Sequence, residues 1–331
     1  MRVGVDISPL VQTRAGTARH VRGLLGELRG REGLELRLLD FGGPGRLATV
    51  VRDTAWYPYG LLRRAKGADL LHCTTFRGPS KTRIPTIVTV HDLAILRWPD
   101  ALPRWHRLYG RAGLRRVLRS ADAVLAISEF TKAEIADLAD VPEGRIRVVP
   151  NGVDPVFTTT TRSGNEEPSN TVLQGGYVLA VGTLEPRKNL ARIVDAARIA
   201  GVELRVAGAR GWGGVDVPGW VGEVADSELA ALYRGAACVV YASLYEGFGL
   251  PVLEAMACGT PVVTSKGTAM EEVAGGAAVL VDPLDPESIA AGIGEAIASG
   301  DDLAALGVAR AAEFTWRAAA DRVEALWHEL A

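Results

Sequence analysis

Short apolar runs alternate with helical patterns along most of the chain, and this alternation most constrains the fold. In the first half the apolar runs are bounded by turn residues and predict six strands: Val3–Ile7, Leu34–Leu39, Asp69–Cys73, Thr86–Val90, Ala123–Ile127 and Ile146–Val149. The stretches between them predict helices, notably His20–Arg29, Trp105–Arg119 and Thr131–Leu138. Strands that alternate with helices are typical of a doubly wound parallel sheet.

The alternation stops at residues 158–170, which are polar and rich in turn formers, and then resumes. Five further strands are predicted: Tyr177–Val181, Leu204–Ala207, Cys238–Tyr241, Pro261–Thr264 and Ala278–Val281. Further helices are predicted at Leu190–Ile199, Ser227–Arg234, Pro251–Ala257, Pro286–Ile297 and within Trp316–Leu330. Because open parallel sheets bind ligands beyond the carboxyl ends of their strands, we expect the functional residues there.

These two series predict an α/β protein of two doubly wound (Rossmann-like) domains that face each other across a cleft. The expected bounds are residues 1–160 for the amino-terminal domain, 161–172 for a linker and 173–312 for the carboxyl-terminal domain. Residues 313–331 are expected to form a terminal helix that packs back toward the amino-terminal domain. The length of 331 residues suits two domains of about 150 residues each.

The net charge of -2 hides a difference between the two halves. Residues 1–165 contain 26 Lys and Arg against 16 Asp and Glu, whereas the remainder contains 11 against 23. A basic half favours an anionic partner, and composition leaves a nucleic acid, a membrane surface and a phosphorylated lipid open. Because no nucleic-acid-binding module is recognisable in the basic half, we expect no nucleic-acid partner.

The three cysteines, Cys73, Cys238 and Cys258, are scattered among apolar or small residues. Without ligand spacing they predict buried thiols in a reducing compartment, with neither a disulfide nor a metal site. The chain lacks both a basic start with a long apolar run and any stretch of about 18 apolar residues. We therefore expect a cytoplasmic protein without a signal peptide.

The first motif with chemical character runs from Gly182 to Asn189, between a predicted strand and a helix. Gly182 permits close approach of backbone to a ligand, and the helix start offers N–H groups and a positive dipole end. Arg187 and Lys188 add two cations, which suits a diphosphate. A turn with two solvated basic residues is the open alternative.

The second motif, Ser243–Ala255, follows the strand Cys238–Tyr241 and leads into a helix with a proline near its first turn. Its glycines expose backbone N–H groups, which commonly hold sugar or phosphate oxygens. Glu246 is expected in the loop at the cleft. Glu254 is expected to be buried among apolar neighbours, where it needs a partner such as a ligand hydroxyl.

Glu246 and Glu254 are separated by seven residues, the loop Pro186–Asn189 lies upstream, and Asn151–Asp154 precedes the polar segment. With these motifs the chain resembles the family-4 retaining glycosyltransferases of the GT-B fold, and it is most similar to their bacterial mannosyltransferase-like branch. The resemblance covers nearly the whole chain and is most specific in the carboxyl-terminal half. It implies an acceptor-binding first domain and a nucleotide-sugar-binding second domain.

The resemblance implies that Arg187 and Lys188 hold the donor diphosphate, that Glu254 binds the ribose and that Glu246 binds hydroxyls of the transferred sugar. Donor contacts are also implied for residues in four loops: Gly16, Gly182, Val221, Gly247, Phe248, Gly249 and Leu250. The segment Val221–Val224 is expected as a loop that packs on the nucleotide base.

In the first half, the resemblance implies that His91, at the end of the strand Thr86–Val90, lies beside the transferred sugar. Ser128 and Glu129 are placed near the acceptor or the donor phosphate, although Ser128 also fits a helix cap. Relatives often carry a glycine-rich loop after the first strand, where this chain keeps only Gly16. Two arginines of this loop, Arg14 and Arg19, would suit a phosphorylated acceptor.

Loss of a nucleotide diphosphate needs stabilisation by a metal or by fixed cations and N–H groups. The chain has no Asp-x-Asp triplet, so Arg187 and Lys188 are expected to supply the charge, with no metal and no cofactor. The resemblance implies same-face attack, in which the departing phosphate takes the acceptor proton, so no residue is expected to act as a covalent nucleophile. The expected catalytic residues are His91, Arg187, Lys188 and Glu246.

The resemblance favours GDP-mannose as donor and a saccharide or polyprenyl-linked acceptor, while UDP-glucose and UDP-N-acetylglucosamine stay open. A phosphorylase of the same fold, a nucleotide-sugar epimerase and a non-catalytic nucleotide-sugar-binding subunit are the alternative functions. An epimerase would need no acceptor, so product analysis with donor alone distinguishes it.

A basic and aromatic stretch, residues 97–119, suggests a surface for an anionic membrane. In a helix, its arginines at 104, 107, 111 and 115 would share one face, near Trp98 and Trp105. A second stretch, Trp56–Tyr59 followed by Arg63 and Arg64, adds to it. The alternative is a solvated basic helix face.

Overall fold

A computed structural model describes residues 1–12, 16–43, 45–98, 111–159, 176–211 and 216–331. The chain divides into two compact units, the first made of residues 1–152 and 315–331 and the second of residues 153–314. The predicted linker at residues 161–172 and the loop residue Arg14 lie outside the described part of the chain, as do residues 99–110 of the basic and aromatic stretch.

The first unit contains a six-stranded sheet in which every neighbouring pair is parallel. Its strands are β1 (Arg2–Asp6), β2 (Glu35–Leu39), β3 (Leu70–Cys73), β4 (Thr86–Val90), β5 (Ala123–Ala126) and β6 (Ile146–Val148). They are ordered β2-β1-β3-β4-β5-β6. The central strands β3, β4 and β5 are buried along their whole length, as expected for apolar runs covered on both faces. All six strands agree with the sequence prediction to within a residue.

Helices cover this sheet, and a π-helix of nine residues, Arg52–Gly60, lies among them. The α-helices up to the second unit are α1 (Ser8–Gln12), α2 (Gly16–Leu28), α3 (Arg46–Val51), α4 (Leu61–Arg64), α5 (Ala94–Arg97), α6 (Arg111–Ser120) and α7 (Glu129–Ala139). The predicted helix His20–Arg29 is the latter part of α2, which buries one face at helical spacing. The elements α1, α3, α4 and α5 were not predicted because each has six residues or fewer and no full amphipathic period.

The second unit contains another sheet of six strands, all paired in parallel. Its strands are β7 (Tyr177–Val181), β8 (Glu203–Ala207), β9 (Trp220–Gly222), β10 (Cys238–Tyr241), β11 (Val262–Ser265) and β12 (Val279–Val281). They are ordered β12-β11-β10-β7-β8-β9. The expectation of a loop starting at Val221 was wrong, since Trp220–Gly222 pairs with β8 as an edge strand. This strand was not predicted because it has only three residues, which are exposed or partly exposed and too few to show apolar alternation.

The helices of the second unit are α8 (Leu190–Ala200), α9 (Asp226–Gly235), α10 (Leu250–Ala257), α11 (Ala269–Ala274), α12 (Pro286–Ala298) and α13 (Gly300–Ala311). The strands and the helices α8 and α12 enclose an apolar core that includes Val240, Val263 and Ile293. The sequence prediction missed α11 and α13. In α11 the N-cap Thr268 accepts a hydrogen bond from the Met270 backbone, but the helix is only six residues long.

The last helix, α14 (Trp316–Leu330), belongs to the first unit and packs on α2. Thr315 caps its start by accepting a hydrogen bond from the Ala318 backbone at 3.1 Å. Trp327 is fully buried. Arg31, which follows the end of α2, forms ion pairs with Asp321 at 2.8 Å and Glu324 at 2.5 Å.

In each sheet the strand order reverses at one point, which lies between β1 and β3 in the first and between β7 and β10 in the second. Both sheets are therefore doubly wound, and the predicted fold class is confirmed. The loops that leave the two strands on either side of such a reversal diverge from each other, and ligands of open α/β sheets bind in the space between those loops.

Within the described residues, no helix has the length and apolar content needed to cross a bilayer. The three cysteines are buried, as predicted.

Candidate nucleotide-sugar site

The loop after β7 places two cations beside the strand-order reversal of the second sheet. Gly182 has φ of 148°, which favours glycine, and a Cβ there would lie 3.1 Å from the Lys188 side chain. Residues Pro186–Lys188 then form a short 3-10 helix. The absence of a side chain at Gly182 thus lets the Lys188 chain lie directly against the end of the strand.

Asn189 fixes this loop to two neighbouring loops. It is buried and adopts a left-handed conformation with φ of 60° before α8. Its side-chain amide donates to the Ala242 carbonyl at 2.9 Å and to the Pro283 carbonyl at 2.6 Å. One side chain therefore connects the loops that follow β7, β10 and β12, which the sequence prediction did not foresee.

Glu246, in the loop after β10, binds both cations. Its Oε1 accepts from Lys188 Nζ at 2.6 Å and its Oε2 accepts from Arg187 Nη1 at 2.8 Å. Arg187 also donates to Glu185 Oε1 at 2.7 Å and to the Tyr245 carbonyl at 2.9 Å. The sequence predicted that these two cations bind a diphosphate. In the structure, both pair with carboxylates.

The ion pairs set the protonation of this cluster. Burial would raise the pKa of Glu246, but Lys188 and Arg187 outweigh it and hold that pKa below its usual value. Burial would lower the pKa of Lys188, and Glu246 outweighs it, so that pKa is raised. Both groups are therefore charged at neutral pH.

Tyr241 is a further member of the cluster that the sequence prediction missed. Its hydroxyl accepts a hydrogen bond from Lys188 Nζ at 2.6 Å, and burial with the nearby Glu246 raises its pKa to about 12. Tyr241 is the last residue of β10 and so lies at the carboxyl end of the sheet. That position was its only signal in the sequence, because a tyrosine in a buried strand is usually an ordinary core residue.

Glu254 lies apart from this cluster, one turn into α10, and is 1% exposed. The predicted burial is confirmed. A protein group serves as one of its partners, since the Tyr233 hydroxyl donates to Glu254 Oε2 at 3.0 Å. Tyr233 packs edge-on to Phe157 and is itself buried. The need for a ligand hydroxyl, inferred from burial alone, therefore does not follow.

The start of α10 depends on Gly249. This residue has φ of 107°, and a Cβ there would lie 2.8 Å from Met270 Cγ, so both conformation and space require glycine. Leu250 and Pro251 form the first turn of the helix. Phe248 is buried and contacts Phe314 edge-on, whereas Gly247 is buried in the preceding loop. The side chain of Phe248 thus has a packing role.

In the first unit, His91 follows β4 as predicted. A carbonyl oxygen only accepts, so the contact of His91 Nε2 with the Thr74 carbonyl at 2.9 Å makes Nε2 the donor. Burial lowers the pKa of His91, although the Thr74 carbonyl and Asp92 oppose it. The ring is therefore neutral at neutral pH, and its Nδ1 is an acceptor.

A second histidine, His20 of α2, packs against the His91 ring. The two rings meet edge to face with centroids 4.8 Å apart. His20 is buried, and its Nδ1 contacts Asn151 Oδ1 at 2.7 Å. Burial and the neighbouring His91 lower the pKa of His20 well below its usual value, so it is also neutral. Nothing in its surrounding helical pattern distinguished it from a core residue.

The other predicted residues of the first unit have local structural roles. Ser128 is the N-cap of α7 and accepts from the Thr131 backbone at 2.9 Å, so the capping interpretation fits. Glu129 forms an ion pair with Lys132 at 3.0 Å on the helix surface. Gly16 is the first residue of α2, and Arg19 lies half-buried on the same helix.

Two doubly wound parallel sheets, with charged loops at the strand-order reversal of the second, define a class of α/β proteins that bind ligands beyond their strand ends. Family models identify the class further. Residues 14–157 match a model described as Glycosyltransferase Family 4, and residues 164–309 match one described as Glycosyl transferases group 1. The chain belongs to this glycosyltransferase family and is an enzyme of that class.

Two curated relatives share most of their length with the chain. The O-antigen chain mannosyltransferase B of Escherichia coli is 32% identical over 94% of this chain and 84% of the relative. The O-antigen chain mannosyltransferase RfbU of Salmonella typhimurium is 29% identical over 72% of this chain and 69% of the relative.

A solved structure has the same fold. Anabaena HepE in complex with UDP-glucose superposes with a TM-score of 0.75 at 18% identity, and the match covers 100% of both chains. At this identity the similarity concerns the fold alone. The expected GT-B fold is confirmed by such structural neighbours.

Proposed function

We propose that the chain is a retaining mannosyltransferase that takes mannose from GDP-mannose and transfers it to a saccharide or polyprenyl-linked acceptor in polysaccharide biosynthesis. The observation that carries this proposal is the cluster of Arg187, Lys188 and Glu246 at the strand-order reversal of the second sheet. Fixed cations at this position suit the diphosphate of a nucleotide sugar. The names of the two curated relatives support mannose as the transferred sugar.

Lys188 is the best-placed cation for the leaving phosphate. An ammonium group has three N–H donors, and the described residues Glu246 and Tyr241 accept two of them. The third can meet a phosphate oxygen without breaking the ion pair. Since the charge is already fixed and partly buried, it can stabilise the diphosphate as it departs without reorganisation.

The two glutamates are proposed to bind different parts of the donor. Glu246 is ionised and held by its ion pairs, so its carboxylate can accept hydrogen bonds from sugar hydroxyls. Glu254 is proposed for the ribose, with Tyr233 fixing its orientation. Neither is proposed as a nucleophile, because same-face attack gives the acceptor proton to the departing phosphate.

His91 is proposed to accept a hydrogen bond from a hydroxyl of the transferred sugar. Its Nε2–H is committed to the Thr74 carbonyl, so Nδ1 is the nitrogen with the lone pair. The edge contact with His20 holds the ring plane. A neutral histidine in this state orients a hydroxyl rather than donating a proton.

Ligand-induced thermal stabilisation tests the donor. The chain would be heated with GDP, GDP-mannose, UDP, UDP-glucose or UDP-N-acetylglucosamine, all at the same concentration, since a ligand present at about 100 times its dissociation constant adds about 2.7 kcal/mol and a weaker one adds less. We expect GDP and GDP-mannose to raise the melting temperature most. Stronger stabilisation by the uridine ligands would contradict GDP-mannose, and no stabilisation by any nucleotide would contradict the whole proposal.

We propose that turnover requires neither a metal nor a cofactor, because Arg187 and Lys188 supply the charge that a metal would otherwise provide. Transfer from GDP-mannose to octyl α-D-mannopyranoside should therefore be unchanged after exhaustive treatment with EDTA. Loss of transfer that added Mg²⁺ or Mn²⁺ restores would contradict this part of the proposal.

Peripheral docking on an anionic membrane is proposed through α6. Its apolar side chains Leu114, Val117 and Leu118 are buried in the first unit, while three arginines of the helix are exposed: Arg115, Arg116 and Arg119. Docking would therefore be electrostatic. The second predicted stretch contributes less, since Trp56 and Tyr57 are buried in the core. Equal flotation with anionic and neutral liposomes would exclude this role.

A further inference from the structure

A group of buried polar side chains at the carboxyl end of β1 has unused hydrogen-bonding atoms. We call Asp6, Gln12, Arg52 and Tyr57 the Asp6 cluster. Asp6 Oδ1 accepts from the Ser8 backbone at 3.1 Å and from its hydroxyl at 2.5 Å, but Oδ2 has no partner. Arg52 Nε and Nη1 are likewise buried and without partners, and the buried Tyr57 hydroxyl has only the neighbouring Gln12 amide beside it.

These groups lie close enough to act on one another. The charge of Arg52 acts on Asp6, and both act on the Tyr57 hydroxyl, which also lies beside the Gln12 amide. Asp6 is 0%, Tyr57 3% and Arg52 4% exposed. Buried polar atoms in proteins nearly always have a partner, and an unpaired buried one is costly. Unused atoms of a carboxylate, a guanidinium and a phenol in one place therefore indicate groups that a ligand satisfies.

The position of the cluster is that of a ligand site. Asp6 ends β1, and its partner in register, Cys73, ends β3, so the cluster lies at the strand-order reversal of the first sheet. Thr74 connects it to the proposed sugar site: its hydroxyl donates to the Asp6 carbonyl at 2.7 Å, and its own carbonyl accepts from His91 at 2.9 Å.

The local backbone is unusual as well. Arg52 and Tyr57 lie on the π-helix Arg52–Gly60. Helices of this type are rare and are found frequently at functional sites. The π-helix directs both side chains inward, whereas Tyr59 of the same helix is 68% exposed.

The charges indicate the kind of ligand. Asp6 and Arg52 balance each other, and the nearby Arg77 is paired with Asp53 at 3.2 Å. Asp6 Oδ2 needs a donor, which a phosphate dianion cannot provide and would repel. A sugar hydroxyl both donates and accepts, so adjacent hydroxyls can satisfy the carboxylate, the guanidinium, the phenol and the amide together.

We propose that the Asp6 cluster binds hydroxyl groups of a neutral saccharide and is the subsite for the acceptor sugar. The assignment of an acceptor role rests on the proposed transferase function. In this subsite Asp6 accepts from one hydroxyl, Arg52 and Gln12 donate to others, and Tyr57 does both. The bridge through Thr74 places this sugar next to the one that His91 holds.

Binding of simple glycosides to the full chain tests the proposal. Titration with the methyl α-glycosides of mannose, glucose, galactose and N-acetylglucosamine, followed by saturation-transfer NMR near pH 8, would give dissociation constants. Tyr57→Phe removes one oxygen and should weaken the best glycoside about fivefold, and Asp6→Asn about tenfold or more. Tyr59→Phe, on the same π-helix but exposed, is the matched control and should bind like the unmodified chain.

Equal binding by all variants would overturn the proposal, and so would failure of every glycoside to bind the unmodified chain. Binding of inorganic phosphate that is lost in Tyr57→Phe would also overturn it, in favour of an anion site. Thermal stabilisation by GDP-mannose, read in the same samples, reports the proposed function separately. If glycosides bind as expected while no nucleotide sugar does, the acceptor role would be overturned with the proposed function and the saccharide site would stand.

Discussion

At the scale of single residues, the chemistry depends on charges held by neighbours distant in sequence. Lys188 and Arg187 share the carboxylate of Glu246, and the ion pairs keep all three charged despite partial burial. In the first unit, by contrast, burial keeps His20, His72 and His91 neutral. The charged cluster and the three histidines thus differ in what sets their protonation, namely charge pairing in the cluster and desolvation at the histidines.

Lys188→Ala should reduce turnover with saturating GDP-mannose about 100-fold, because it removes a fixed cation from the departing phosphate. Steady-state kinetics of transfer to octyl α-D-mannopyranoside would measure it, with thermal unfolding as a check on folding. Arg198→Ala, which removes an exposed cation of α8, is the control. Near-normal turnover by the Lys188 variant would show that this residue does not act on the leaving group.

The buried His72 predicts a dependence of stability on pH. Burial and the nearby His91 lower the pKa of His72 to about 3, against about 6.5 when unfolded. Below about pH 6.5 the unfolded chain therefore binds a proton that the folded chain does not, and stability falls by about 1.4 kcal/mol per pH unit.

His72→Gln removes this term. Between about pH 7 and pH 5, its free energy of unfolding in urea should fall by about 2 kcal/mol less than that of the unmodified chain. The pKa of Asp6 is raised to about 6, so this group increases stability as the pH falls. Its contribution is the same in both proteins and cancels in the comparison. His328→Gln, on the surface, should track the unmodified chain, and equal pH dependence in the His72 variant would refute the prediction.

At the scale of elements, the ligand-facing loops depend on a few backbone conformations. The start of α10 requires a left-handed residue at Gly249 that also leaves room for Met270. Asn189 is left-handed at the start of α8 and ties three loops together. These two helix starts position the cations and the carboxylate of the proposed donor site.

Gly249→Ala should destabilise the second unit by about 2 kcal/mol, because alanine is strained at this φ and its Cβ would overlap Met270. It should also weaken GDP-mannose binding. Gly294→Ala, in the middle of α12 with open space around it, should instead stabilise by about 0.5–1 kcal/mol. Urea unfolding of both variants compares them, and a neutral Gly249→Ala would contradict the argument from conformation.

At the scale of the whole molecule, the two units are not two continuous halves of the chain. The first is completed by α14, whose Trp327 is fully buried beside His72. Each unit has its own apolar core. A substitution in α14 should therefore destabilise the amino-terminal residues and leave the stability of the second core unchanged.

Trp327→Ala should destabilise the first unit by about 3–5 kcal/mol, as expected for loss of a buried tryptophan. Hydrogen exchange should then become faster in residues 1–152, with little change in the strands of residues 153–314. Trp220→Ala, at an exposed edge strand of the second unit, should leave exchange in the first unit unchanged. Uniform acceleration in both units by Trp327→Ala would show that they unfold together.

The sequence by itself determined the succession of strands and helices and the loops that carry chemistry. Apolar periodicity is local, so β1, β7 and β10 were predicted almost to the residue. Because parallel strands present their carboxyl ends at one edge, the position of Lys188 and Glu246 in loops after their strands was also predictable. Short elements such as α3 and the edge strand β9 were not, since they lack a full period.

Only the tertiary structure decided which of these groups meet. Glu246 pairs with cations 58 and 59 residues away, Tyr233 takes the carboxylate of Glu254, and Tyr57 turns inward to Asp6 rather than outward to a membrane. Each of these contacts depends on the packing of separate elements and on the desolvation that follows. Neither the packing of separate elements nor the resulting desolvation can be read from a local stretch of sequence. The motifs therefore identified the loops but not the partners of their side chains.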